Sequence, residues 1–167
     1  TMMMDKGLST REAENFVENS GPYTDLIKLG FGTSAVCVNV EKKVKIYREA
    51  GIRVYLGGTL FEAFAIRNMF DEYVSLVRKL KIDTVEVSDG SMYMHHSQKL
   101  DFINKLSNDF TVLSEVGSKQ KGVEIHDEVW VEMMKKELDA GSWKVIAEAR
   151  ESGTTGIYQD DGSANLN

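Results

Sequence analysis

Short apolar runs alternate along the chain with longer stretches in which apolar side chains recur every three or four positions. The runs at Thr1–Met4, Asp25–Leu29, Ile52–Leu56, Thr84–Val87, Phe110–Leu113 and Lys144–Ala147 predict six strands. The stretches between them predict five helices, over Ser9–Ser20, Val40–Ala50, Phe61–Leu80, Gln98–Ser107 and Glu124–Ala140. Ser9, with Glu12 three residues on, is a capping box that starts the first helix. Gly51 stops the second. The third is the longest, with Phe61, Phe64, Met69, Tyr73, Val77 and Leu80 on a helical period.

Strict alternation of strand and helix implies parallel strands joined by helical crossovers, an α/β fold. The strands are continuous apolar runs rather than alternating ones, as expected where both faces of a sheet are covered. Pro22 is the only proline and no linker breaks the pattern, so residues 1–167 read as a single domain.

The 26 acidic residues outnumber the 20 lysines and arginines, for a formal net charge of −6. That argues against a non-specific nucleic-acid binder, which needs a cationic surface for phosphates. One cysteine, Cys37, excludes an intrachain disulfide and a multi-cysteine zinc site. No apolar run approaches the ~20 residues of a membrane span. Thr1–Met4 is too short and uncharged for a signal peptide, so the expectation is a cytoplasmic protein.

Charged and small residues gather where the strands end: Asp5 and Lys6, Lys28, Thr59 and Glu62, Glu86 and Asp89, Glu115 and Lys119, and Glu148, Arg150 and Glu151. In parallel α/β folds these ends share one face, where ligands bind. A single strand-end charge is more often a solvated loop residue or a helix cap, and the concentration is what favours a site. Glu86, Glu115 and Glu148 sit close to apolar runs, where a carboxylate needs a partner or a metal. An all-oxygen donor set without a His or Cys cluster favours Mg²⁺ over zinc. The adjacent His95 and His96 read as surface residues. Gly57-Gly58-Thr59 is short of any phosphate-loop fingerprint, yet could offer backbone amides to an anion.

Six motifs occur in order: Met4-Asp5-Lys6-Gly7-Leu8, Lys28-Leu29-Gly30-Phe31-Gly32-Thr33-Ser34, Gly57-Gly58-Thr59-Leu60-Phe61-Glu62, Glu86-Val87-Ser88-Asp89-Gly90, Ser114-Glu115-Val116-Gly117-Ser118-Lys119 and Glu148-Ala149-Arg150-Glu151-Ser152-Gly153. Together they closely resemble the phosphosulfolactate synthase family, from residue 1 to about residue 162. The resemblance implies a TIM (β/α)₈ barrel, often assembled as a trimer. It implies a lyase that adds sulfite to phosphoenolpyruvate with Mg²⁺, giving (R)-2-phospho-3-sulfolactate, the first step toward coenzyme M in methanogens. By the same resemblance Lys119 is the general acid, although its neighbour Ser118 stands where the family often has a second lysine. Lys6, Lys28, Arg150, Gly58 and Thr59 would bind the anionic substrates, and Glu86, Asp89, Glu115 and Glu148 would hold Mg²⁺. Some members are heat-stress-associated plant proteins, so a non-catalytic role through protein binding is the alternative. A full barrel typically takes ~250 residues, and about 200 at the lower end. With 167 residues, the barrel is expected here in a shortened form of about six strands and five helices.

Overall fold

The computed structural model describes residues 1–117, 126–147 and Ser163. Contacts divide the chain into two compact units, Thr1–Glu86 and the residues from Val87 onward.

The first unit begins with β1 (Met2–Asp5), α1 (Thr10–Ser20) and β2 (Leu26–Leu29). Ser9 caps α1: its hydroxyl accepts from the Glu12 amide, and the Glu12 carboxylate accepts from the Ser9 amide. A 3₁₀ segment (Gly30–Ala35) leads to α2 (Val40–Glu49), β3 (Arg53–Leu56), α3 (Gly58–Ala65), α4 (Phe70–Lys79) and β4 (Thr84–Ser88). β1 pairs parallel with β2, β2 with β3 and β3 with β4. The register sets Asp5 beside Leu29 and Leu29 beside Leu56, so neighbouring strands finish level. Ile27, Leu29, Val54, Leu56 and Val85 form the buried strand core. Ala13, Val44, Tyr47, Phe61, Tyr73 and Val77 close over it from the helices.

One expectation is corrected here. The helix expected over Phe61–Leu80 is two, α3 and α4, so the described chain has six α-helices rather than five. Asn68 takes a left-handed backbone (φ 55°) between them. The Met69 amide donates to Phe64 O and the Asn68 amide to Ala65 O, which is a Schellman ending. Apolar periodicity runs through the break because Phe64 on α3 and Tyr73 on α4 still meet, edge to face, with ring centres 5.8 Å apart. Gly51 and Lys81 end α2 and α4 the same way, both with positive φ.

The second unit holds the last residues of β4, α5 (His96–Ser107), β5 (Thr111–Val116), α6 (Asp127–Asp139) and β6 (Ser142–Ala147). β5 and β6 are parallel, and Ser142 Oγ donates to Ser114 Oγ between them at 2.9 Å. Both strands run beyond their expected limits, so Glu115 lies within β5 rather than past its end. The start expected for the last helix, at Glu124, falls outside the described residues.

Candidate active site

Asp5, the last residue of β1, is fully buried. Its Oδ1 accepts from the Gly7 and Leu8 amides, both at 2.8 Å. Its Oδ2 accepts from Tyr47 Oη at 2.9 Å and pairs with Lys43 Nζ at 2.9 Å. Lys43 also donates to Leu8 O, so one ammonium ties the loop after β1 to the strand's own carboxylate. Burial pushes the Asp5 carboxyl up, but Lys43, the two amides and Tyr47 outweigh it and hold it below its ordinary range. Burial, and then the Asp5 charge, push the Tyr47 phenol up, so it remains a donor. Lys6 extends from this braced loop, exposed, with its Nζ 6.0 Å from the centre of the Phe31 ring. That distance is the outer edge of a cation–π contact. Phe31 and Gly32 both hold left-handed backbone in the turn after β2, a costly state for a bulky side chain.

Glu86 in β4 is also fully buried. Its Oε1 pairs with Lys28 Nζ of β2 at 2.8 Å and accepts from the Gly58 amide at 2.7 Å. Gly58 opens α3, and the residue at its N-cap, Gly57, has no side chain to cap that end. The Glu86 carboxylate therefore occupies the positive end of the helix, the place where the glycine-rich stretch could take an anion. The neighbouring glycine leaves the lysine its path. A Cβ on Gly57 would stand 3.0 Å from Lys28 Cε and 3.1 Å from Leu29 O. Thr59, the next residue, is exposed.

In the second unit Lys99 of α5 is fully buried. Its Nζ meets Asp89 Oδ1 at 2.8 Å, Glu137 Oε1 at 2.8 Å and Glu115 O at 2.6 Å. Glu137 of α6 is buried too, and its Oε1 lies 3.2 Å from His96 Nε2. His96 is thus not the surface residue expected: its side chain is 23% exposed and packs against a buried carboxylate. His95 is exposed, as expected. The Glu115 side chain is buried near the end of β5.

Within the first unit the structure brings Lys28, Glu86 and Gly58 together, and within the second it brings Asp89 to Glu115 through Lys99. Lys119, Glu148 and Arg150 lie outside the described residues. Among the described residues, no three His, Cys, Asp or Glu side chains gather as a metal site. The donors are of the oxygen type a hard cation takes, yet Glu86 and Asp89 already hold lysine ammonium groups. Sequence reasoning missed Lys43, Tyr47, Lys99, Glu137 and His96. The signal for two of them was present: Lys99 stands four and seven residues before the inward Ile103 and Leu106, and Glu137 four residues after Met133. A charge on an apolar stripe is a charge that needs a partner.

Among the described residues no helix is long and apolar enough to cross a membrane. Among solved structures the chain is similar to 3-hexulose-6-phosphate synthase, with a TM-score of 0.59 and 15% identity, over 96% of this chain and 71% of that one. That likeness carries the fold alone, an α/β fold of the TIM-barrel type of which the described residues hold six strands. In sequence it is 38% identical over 175 residues to phosphosulfolactate synthase of Methanocaldococcus jannaschii, spanning all of this chain and 69% of the relative. It is 33% identical over 168 residues to phosphosulfolactate synthase of Bacillus subtilis, spanning 99% of this chain and 67% of the relative. The family model described as (2R)-phospho-3-sulfolactate synthase (ComA) matches residues 1–167. With a match over its whole length, the chain belongs to the phosphosulfolactate synthase family of enzymes.

Proposed function

We propose that this protein is a lyase that adds sulfite to phosphoenolpyruvate, giving (R)-2-phospho-3-sulfolactate. The observation that carries the reading is the family match over residues 1–167, with relatives named for that synthase. In this reading the sulfite sulfur forms a bond to the methylene carbon of phosphoenolpyruvate. The π electrons of the double bond move onto the carboxylate side, and a proton is then delivered to the carbon that bears the phosphate. Lys119 is the proposed donor of that proton. Lys6, Lys28 and Arg150 are the proposed holders of phosphate and carboxylate, with Arg150 suited to a bidentate grip. Thr59, exposed at the first turn of α3, is a further hydroxyl for the anion. Mg²⁺, when bound, would supply Lewis acidity for the charge that develops on the carboxylate. Glu115 and Glu148 are the residues that would hold it.

A ³¹P NMR time course with protein, Mg²⁺, phosphoenolpyruvate and sulfite tests this. A new phosphate-ester signal that disappears with EDTA and with Lys119→Ala supports the whole reading. A folded protein that leaves phosphoenolpyruvate untouched overturns it.

A further inference from the structure

We infer that Glu86 is a positioning residue for Lys28 and for the start of α3, and not a ligand of the metal. The inference deepens the proposed site and rests on Lys28 being a substrate ligand. Three observations converge on it. One oxygen of a fully buried carboxylate receives both the Lys28 ammonium, at 2.8 Å, and the Gly58 amide, at 2.7 Å. α3 has no side-chain cap of its own, so its first amide depends on this carboxylate. Gly57 keeps clear the space that the Lys28 chain runs through, since a Cβ there would stand 3.0 Å from Lys28 Cε and 3.3 Å from Lys28 Cγ.

Electrostatics points the same way. A divalent cation on this carboxylate would stand within a few ångströms of an ammonium in a region shielded from water, where like charges repel strongly. The same carboxylate is well placed to orient the lysine. The Lys28 side chain is only 12% exposed, so its chain is fixed and a small part of it is presented to an anion. A fixed charge loses less freedom on binding than a mobile one. The motif Gly57-Gly58 and the carboxylate in β4 thus belong to one device: the first glycine clears the lysine's path, the second supplies an amide, and Glu86 holds both.

The test is Glu86→Gln, which keeps an acceptor for the Gly58 amide and removes the charge that holds Lys28. Three measurements are made on variant and parent: Mn²⁺ binding by electron paramagnetic resonance, phosphoenolpyruvate binding by calorimetry, and the rate of Lys28 acetylation mapped by mass spectrometry. The expected result is Mn²⁺ affinity within about threefold of the parent, phosphoenolpyruvate affinity lower by about tenfold, and Lys28 acetylation faster by about fivefold. Loss of Mn²⁺ affinity by more than about tenfold, or unchanged acetylation of Lys28, overturns the inference. If Glu86→Gln does not fold, Gly57→Ala decides, because it crowds the Lys28 chain and leaves Glu86 in place. Faster Lys28 acetylation with Mn²⁺ binding retained then supports the inference, and unchanged acetylation overturns it. If the parent binds no phosphoenolpyruvate, the substrate reading fails on its own, while the acetylation arm, which needs no ligand, still decides the role of Glu86.

Discussion

Replacing Lys99 with methionine removes one ammonium and leaves its three oxygens in place. Lys99 Nζ holds Asp89 at 2.8 Å, Glu137 at 2.8 Å and the Glu115 carbonyl at 2.6 Å. The Asp89 side chain is 15% exposed and can reach water, but Glu137 is fully buried. Its second oxygen has no hydrogen-bond partner among the described residues. The variant therefore leaves a buried carboxylate without its ammonium and with His96 Nε2, at 3.2 Å, still beside it, and losing the lysine of such a pair costs about 3–5 kcal/mol. At a urea slope of about 2 kcal/mol per molar, the midpoint falls by about 2 M. Both tryptophans, Trp130 in α6 and Trp143 in β6, lie in the same unit, so their fluorescence reports its unfolding. The second variant, Lys99→Met with Glu137→Met, removes the stranded charge and is expected to recover at least about half of the loss. A midpoint shift below about 0.5 M for Lys99→Met, or no recovery in the double variant, refutes the reasoning.

Asp5 has a carboxyl lowered from its ordinary 3.8, so its charged form is favoured in the folded chain. Its contribution to stability is complete above the unfolded value and is lost as pH falls through the lowered folded value. Urea midpoints measured from pH 7 down to about pH 2.5 are expected to fall less steeply below about pH 4 in Asp5→Asn than in the parent. Lys81 pays for a left-handed backbone, φ 56°, with no gain from its side chain in the helix ending, so Lys81→Gly is expected to stabilise by about 0.5–1 kcal/mol, seen as a higher thermal midpoint. Ser142→Ala removes the donor to Ser114 Oγ inside the strand pair and is expected to cost about 1 kcal/mol in the same urea assay. Ser9→Ala breaks the capping box of α1 and is expected to cost about 1 kcal/mol.

The order of elements was legible because burial imposes a period on the chain, and that period survives whatever the partner elements are. Strand limits were less so. Asp5 reads as the residue that stops β1, yet it lies within the strand, because Lys43, Tyr47 and two amides satisfy its carboxylate there. The break at Asn68 was hidden for a related reason. Asparagine is second to glycine at the left-handed position of a helix ending, and the apolar period continues across it from Phe64 to Tyr73.

The strand-end carboxylates were found from sequence, but what they do was not, and the cause is the neighbouring elements that supply their partners. Three of the described carboxylates meet a lysine from another element: Asp5 meets Lys43 of α2, Glu86 meets Lys28 of β2, and Asp89 meets Lys99 of α5. A carboxylate next to an apolar run states only that some cation is near. Whether that cation is a metal or an ammonium depends on which side chain three dimensions bring to it. A lysine placed on the buried stripe of a helix is the clue that decides between them. It cannot remain buried unpaired, so it predicts a carboxylate partner elsewhere in the chain. Lys99, in step with Ile103 and Leu106, makes that prediction from sequence alone, and it argues that Asp89 serves first as the counter-ion of an ammonium.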